Sequence, residues 1–273
     1  MPNAEKPYSL QISNPSIIAN LTGITTITDF RMADIAAGGQ GAPLVPAFHH
    51  SAFAEKGKFR AIINIGGIAN ITTLPSEKTE DVRGYDIGPG NTLLDQWSQS
   101  KQQKPFDDNG DWGRSGQVLP ELLKQLLNDP YIQQKAPKST GREYFNLKWL
   151  QGVLTNTLDS LNTDTHNADV QRTLTEFTAA SIADCIKSET NNIPCEIYLC
   201  GGGTKNAFLF ERLRHLLPKQ HIATTEKIGM DPQMVEAAAF AWLAHQTLSG
   251  LPGNIPTATG AMKHKILGGI YLA

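Results

Sequence analysis

Three glycine-bearing segments of this sequence carry the residue types that hold anions: Asn64-Ile65-Gly66-Gly67-Ile68-Ala69-Asn70, Asp86-Ile87-Gly88-Pro89-Gly90-Asn91 and Gly201-Gly202-Gly203-Thr204-Lys205-Asn206. Glycine tolerates positive φ and lets main-chain N–H groups approach phosphate oxygens closely, so each segment can form an anion nest. Singly, each also reads as an ordinary turn. Three in succession, each beside a strand end, point to phosphate or nucleotide. None has the GxxxxGK[ST] or GxGxxG spacing, which argues against a P-loop and a dinucleotide fold.

The carboxylates come next. Asp86 ends a strand just before Gly88-Pro89-Gly90, where a side chain projects into a ligand crevice at the carboxyl edge of a sheet; holding the turn or capping the following helix would suit it equally. Asp29, Arg31 and Asp34 precede the loop Ala37-Gly38-Gly39-Gln40-Gly41-Ala42-Pro43 and read either as a surface ion-pair cluster or as part of a site. Glu236, on an Ala-rich helix, faces solvent or a site. The run Lys138-Ser139-Thr140-Gly141-Arg142-Glu143-Tyr144-Phe145-Asn146 mixes hydrogen-bonding and aromatic groups, as a sugar or carboxylate site does and as a polar loop does too.

Other chemistries find no support. His49 and His50 are adjacent rather than at i, i+4, and the remaining histidines are scattered, so no metal site is expected. There is no GxSxG elbow, and Cys185, Cys195 and Cys200 have neither CxxC spacing nor an evident base. An odd cysteine count fits a reducing cytoplasm. A net charge of −2 with dispersed Lys and Arg leaves no footprint for nucleic acid or an anionic membrane, and no apolar run is long enough to span a bilayer. Small molecules are the expected partners.

Positioning these residues requires a core, and 273 residues at 40% hydrophobic and 18% charged can supply one. Short β-branched runs alternate with segments of helical period, the pattern of an α/β protein. Strands are expected at 61–65, 69–74 and 83–87, with the first two joined by a tight Gly66-Gly67 turn. A helix capped by Asn91 or Thr92 follows, then helices over 118–128 and, capped by Asn167 or Asp169, over 169–188. The third glycine segment lies between a strand at 196–200 and a helix at 208–217 that Pro218 stops. A helix over 233–247 and a strand near 266–271 close the chain.

Taken together, the three glycine segments, the stretch Asp29–Pro46 and the run Pro137–Glu143 closely resemble bacterial anhydro-N-acetylmuramic acid kinases over residues 8–273. The resemblance implies the actin-like, sugar-kinase and Hsp70-like ATPase fold, built of ribonuclease-H-like α/β lobes. It also implies ATP and Mg²⁺ as co-reactants, and a reaction that opens the 1,6-anhydro ring of a cell-wall sugar and phosphorylates O6. By resemblance Asp86 is the general base, with Asp34 as second choice. Gly66, Gly67 and Asn70, with Gly88, Gly90 and Asn91, form phosphate-binding turns, and Gly201, Gly202, Gly203 and Asn206 contact adenosine. Arg31, Asp29, Arg142 and Glu236 orient the sugar or its lactyl carboxylate. The family's opening GxMSGTSxDGxD segment is not found here, so residues 1–58 are expected to be the remnant of a first lobe and residues 59–273 a complete second lobe. A homodimer is expected from the resemblance alone. A non-catalytic sugar- or nucleotide-binding fragment and a different sugar kinase of the same superfamily are the alternatives.

Overall fold

The computed structural model describes residues 8–158 and 166–273. Its strands are β1 (Thr26–Thr28), β2 (Arg60–Ile65), β3 (Ile68–Leu74), β4 (Arg83–Pro89), β5 (Glu196–Cys200), β6 (His221–Thr224) and β7 (Gly269–Tyr271). Five form one sheet in the order β4-β3-β2-β5-β6, and β1 pairs antiparallel with β7 in a separate two-stranded ribbon. The Gly66-Gly67 connection is too short for anything but an antiparallel hairpin, whereas β5 and β6 run parallel with Glu196 opposite His221. The sheet is therefore mixed, with a hairpin on one side and a crossover on the other.

The chain divides into two compact units, and the sheet strands pass between them in sequence. The first comprises residues 1–60, 72–85 and 234–273. It contains α1 (Pro15–Thr22), α2 (Met32–Ala36), α3 (Val45–Phe53), and, further along the chain, a long helix (Val235–Leu248) and a short one (Pro256–Thr259). Leu44, Leu243 and Leu267 centre its core, with Phe30 and Trp242 packed against them.

The second unit comprises residues 61–71 and 86–233. Its helices are α4 (Thr92–Gln102), α5 (Asp111–Ser115), α6 (Pro120–Leu127), α7 (Pro130–Gln133), α8 (Leu147–Leu158), α9 (Asn167–Thr190) and α10 (Ala207–Leu216). Leu122 and Leu126 of α6, Leu150 of α8 and Leu174 and Phe177 of α9 are fully buried together, so the helix expected over residues 118–128 packs its inner leucines into the core. Among the described residues no helix is long and apolar enough to cross a membrane.

Several boundaries move, for identifiable reasons. β4 does not break at Gly88 but continues through Pro89, because the glycines there permit close packing: a Cβ at Gly88 would stand 2.7 Å from Ile132 Cδ1. Asn91 occupies the N-cap of α4 without capping it; its Nδ2 instead donates to Ile65 O at 3.1 Å. Neither expected cap serves α9. Its N-cap is His166, and Asp169 Oδ1 accepts from Gln117 N at 2.7 Å, tying the approach to α6 onto the long helix. The short α1, α3 and β6 carry no sequence period strong enough to announce them.

Candidate functional site

The turn Gly66-Gly67 is fastened to the end of β4 by main-chain hydrogen bonds. Gly90 N and Thr92 N donate to Gly67 O at 2.9 and 3.0 Å, and Asn91 N donates to Gly66 O at 2.8 Å. Neither Gly66 nor Gly67 lies in the left-handed region; at Gly67 what favours glycine is space, whereas a Cβ on Gly66 would meet nothing nearer than Ile68 O at 3.5 Å. A Cβ on Gly67 would stand 2.6 Å from Nε of Arg142, and one on Gly90 would overlap the carbonyl oxygen of Gly66. Two of the three glycine segments are thus one structure, with the Arg142 side chain laid across it.

Asp86 sits beside this structure near the C-terminal end of β4. Its Oδ2 accepts from Ser139 Oγ at 2.9 Å and from Thr140 N at 3.0 Å, while its own main-chain N–H donates to Lys138 O. Tyr131 Oη donates to the Asp86 carbonyl at 2.8 Å. The polar run after Pro137 is therefore the cradle of this carboxylate. Carboxylates held by N–H and O–H donors are stabilised as anions and fixed in direction.

The third segment completes the site from the other half of the sheet. Gly201 has φ +82 and a Cβ there would collide with Asn64 Oδ1, so positive φ and close approach both apply at this one position. Gln233 Nε2 steadies the turn by donating to Gly201 O at 2.9 Å. Asn206 caps α10 through its side chain, accepting from Leu209 N at 2.9 Å. A cavity of about 330 Å³ opens here, lined by Asn91, Asp95, Phe106, Asn109, Gly202 and Asn206, among others. Its volume and mixed lining are those of a small-molecule site. Burial pushes the Asp95 carboxyl up to about 6 against the opposing pull of Arg142.

The structure thus brings Asp86, Gly66, Gly67, Gly88, Gly90, Asn91, Arg142, Gly201, Gly202, Gly203 and Asn206 into one unit, with Asn70 half-buried on β3. Asp29, Arg31, Asp34 and Glu236 belong to the other unit. Asp34 there is fully buried, its carboxylate accepting from Gly41 N at 2.8 Å and from Asn254 Nδ2 and Thr259 Oγ1 at 2.7 Å each. Arg31 Nη1 donates to Gly41 O at 2.8 Å. Both side chains therefore hold the 38–41 loop, and the Asp34 carboxylate finds its donors within the fold. Asp29 has φ 59, and its Oδ1 is buried without a hydrogen-bond partner; Glu236 is exposed in the first turn of its helix. Sequence reasoning missed Ser139 and Thr140 as partners of Asp86, and missed Asp95 and Phe106 in the cavity. The polar run was the one signal for the first pair.

Comparison with known proteins identifies the family. The family model for anhydro-N-acetylmuramic acid kinase matches residues 1–273. The curated anhydro-N-acetylmuramic acid kinase of Coxiella burnetii (strain Dugway 5J108-111) is 49% identical over 272 residues, covering 99% of this chain and 71% of that protein. That of Pseudomonas syringae pv. tomato is 50% identical, covering 97% of this chain and 71% of its own length. That of Shewanella sp. (strain W3-18-1) is 51% identical, covering 100% and 72%.

Proposed function

We propose that this chain, which belongs to the anhydro-N-acetylmuramic acid kinase family, carries out that family's reaction with Asp86 as general base. The chain is an ATP-dependent sugar kinase of amino-sugar and peptidoglycan recycling. Water attacks C1 of the 1,6-anhydro sugar and its proton passes to the Asp86 carboxylate. The C1–O6 bond breaks, O6 takes the γ-phosphoryl group, and ADP leaves, giving N-acetylmuramic acid 6-phosphate.

The observation that carries the assignment is the arrangement at the end of β4. A carboxylate gripped by Ser139 and Thr140 stands on the strand whose end fastens the Gly66-Gly67 turn. Phosphate is read at that turn, where the absence of side chains lets main chain and the Arg142 guanidinium approach together. Adenosine is read in the cavity beside Gly201–Gly203 and Asn206. Among the described residues no group of three or more His, Cys, Asp or Glu side chains could hold a metal, so there is no protein cage. A Mg²⁺ would arrive on the phosphate oxygens and keep its waters, and the turn and Arg142, which offer N–H donors alone, would hold the phosphate rather than the cation. When bound, it neutralises charge developing on the transferred group.

Arg142, Arg31, Asp29 and Glu236 are read from the resemblance as sugar-orienting residues, and Arg142 is the one that shares a unit with Asp86. The proposal includes a lobe boundary at residues 58–59 and a homodimer, both resting on the resemblance.

The test is sugar-dependent ADP release. Asp86→Asn should lower kcat at least ~10³-fold with the fold retained by circular dichroism, the range lost with a general base. Turnover within tenfold of the parent chain in Asp86→Asn would remove the assignment. Binding of ATP and sugar without any ADP release would favour the binding-fragment reading, and turnover on ordinary hexoses alone would favour another sugar kinase.

A further inference from the structure

Lys138 is a buried cation that the reaction as written does not use. It is 8% exposed, and its Nζ donates to the main-chain oxygens of Tyr131 at 3.1 Å and Ile132 at 3.2 Å while standing 4.7 Å from the centroid of the Tyr131 ring. Those acceptors and that ring face are partners for an ammonium, and they fix it in one place. The same residue's carbonyl pairs with the Asp86 N–H, and the next two residues, Ser139 and Thr140, hold Asp86 Oδ2. One short stretch therefore supplies the general base with a main-chain partner and two carboxylate donors, and the Lys138 side chain anchors it.

We propose that residues 138–140 form a positioning element for Asp86: Ser139 and Thr140 set the direction of its carboxylate, and the Lys138 side chain, anchored on the Tyr131 and Ile132 carbonyls, holds those two donors in place. The inference rests on the reading of Asp86 as general base. Lys138, Ser139 and Thr140 act through Asp86 and none is assigned contact with substrate.

Around the Lys138 ammonium stand Cys185 on α9, Asp129 at the N-cap of α7 and Asp86 on β4, with the Tyr131 ring directly against it and Tyr144 beside that ring. Asp129 is committed elsewhere. It accepts from Tyr131 N at 2.8 Å and from Tyr144 Oη and Trp149 Nε1 at 3.2 Å each. Burial holds Lys138 below its ordinary lysine value, and the neighbouring acidic groups pull it back up.

The experiment reads Asp86 directly and then through turnover. In the free protein the side-chain carboxyl ¹³C resonance of Asp86, assigned through Asp86→Asn, is titrated by NMR in the parent chain, Lys138→Met, Lys138→Arg and Ser139→Ala. Lys138→Met should move the Asp86 midpoint upward by about one pH unit, because hydrogen bonds to the ionised form weaken when their donors lose their anchor. Lys138→Arg should restore most of that shift. Ser139→Ala should raise the midpoint less and lower kcat on the order of tenfold with KM for ATP unchanged, the loss of one hydrogen bond to a charged group. The acidic limb of kcat/KM should follow the NMR midpoints. An Asp86 midpoint identical in all four proteins would overturn the inference even if Asp86→Asn is inactive. An active Asp86→Asn would overturn the base assignment itself, whatever the NMR shows.

Discussion

Gly90→Ala separates the cost of building the phosphate turn from the cost of using it. Gly90 has no left-handed φ, so alanine is conformationally acceptable and the whole effect is steric. The added methyl would overlap the Gly66 carbonyl oxygen and press on Ala69 N at 3.2 Å and Ile68 C at 3.3 Å, all of them main-chain atoms. The turn must retreat by about an ångström, which stretches or breaks the bonds from Gly90, Asn91 and Thr92 that fasten it. Losing two of these at about 1 kcal/mol each, with overpacking of about 1–3 kcal/mol, gives a destabilisation of about 3–5 kcal/mol. For a protein of this size that lowers Tm by roughly 6–20 °C. Gly66→Ala is the counterpart, because a Cβ there meets nothing nearer than Ile68 O at 3.5 Å. It should melt within a degree or two of the parent chain, yet raise KM for ATP on the order of tenfold by standing where a phosphate oxygen approaches the main chain. Thermal melts and ADP-release kinetics on the two variants decide the matter. A stable Gly90→Ala would refute the packing argument, and a Gly66→Ala protein with unaltered KM would refute the phosphate-turn reading.

Two pH-dependent predictions follow from buried groups of opposite sense. His49 is fully buried, its Nδ1 paired with Thr72 Oγ1 at 2.8 Å, and burial lowers its pKa to about 3. The unfolded chain takes up a proton near 6.5 that the folded one refuses, so stability is complete above that pH and falls as pH drops toward 3, by about 1.4 kcal/mol per unit. Denaturant melts should show His49→Leu losing about 2 kcal/mol less than the parent chain between pH 7 and pH 5; equal losses would contradict the argument. Asp95, held near 6 by burial, is raised rather than lowered, so its ionisation works against the fold as pH climbs past its ordinary 3.8. Asp95→Asn should therefore raise Tm relative to the parent chain at pH 8 and lose that advantage at pH 4, and a gap independent of pH would exclude the charge as its cause.

The sequence revealed most where function and local structure coincide. Asp86 and the three glycine segments could be found because a strand, a glycine turn and a helix follow one another within a dozen residues, and periodicity changes mark each boundary. The mixed sheet was legible in part for the same reason: β2, β3, β4 and β5 are short β-branched runs edged by glycine, whereas the four-residue β6 is too brief to show a pattern. What stayed hidden depends on chain segments far apart in sequence. Ser139 and Thr140 reach Asp86 across 53 and 54 residues, and no periodicity connects them. Asp34 looked as eligible for chemistry as Asp86, since both are acids next to glycine-rich turns. Their difference lies in their partners: Asn254 and Thr259, 220 and 225 residues downstream, saturate Asp34 inside a buried network. Asp86 instead remains half-exposed, gripped by donors that fix its aim. Residue type and spacing could nominate both carboxylates, but the choice between them is made by burial and by which donors the fold delivers. Both are tertiary quantities.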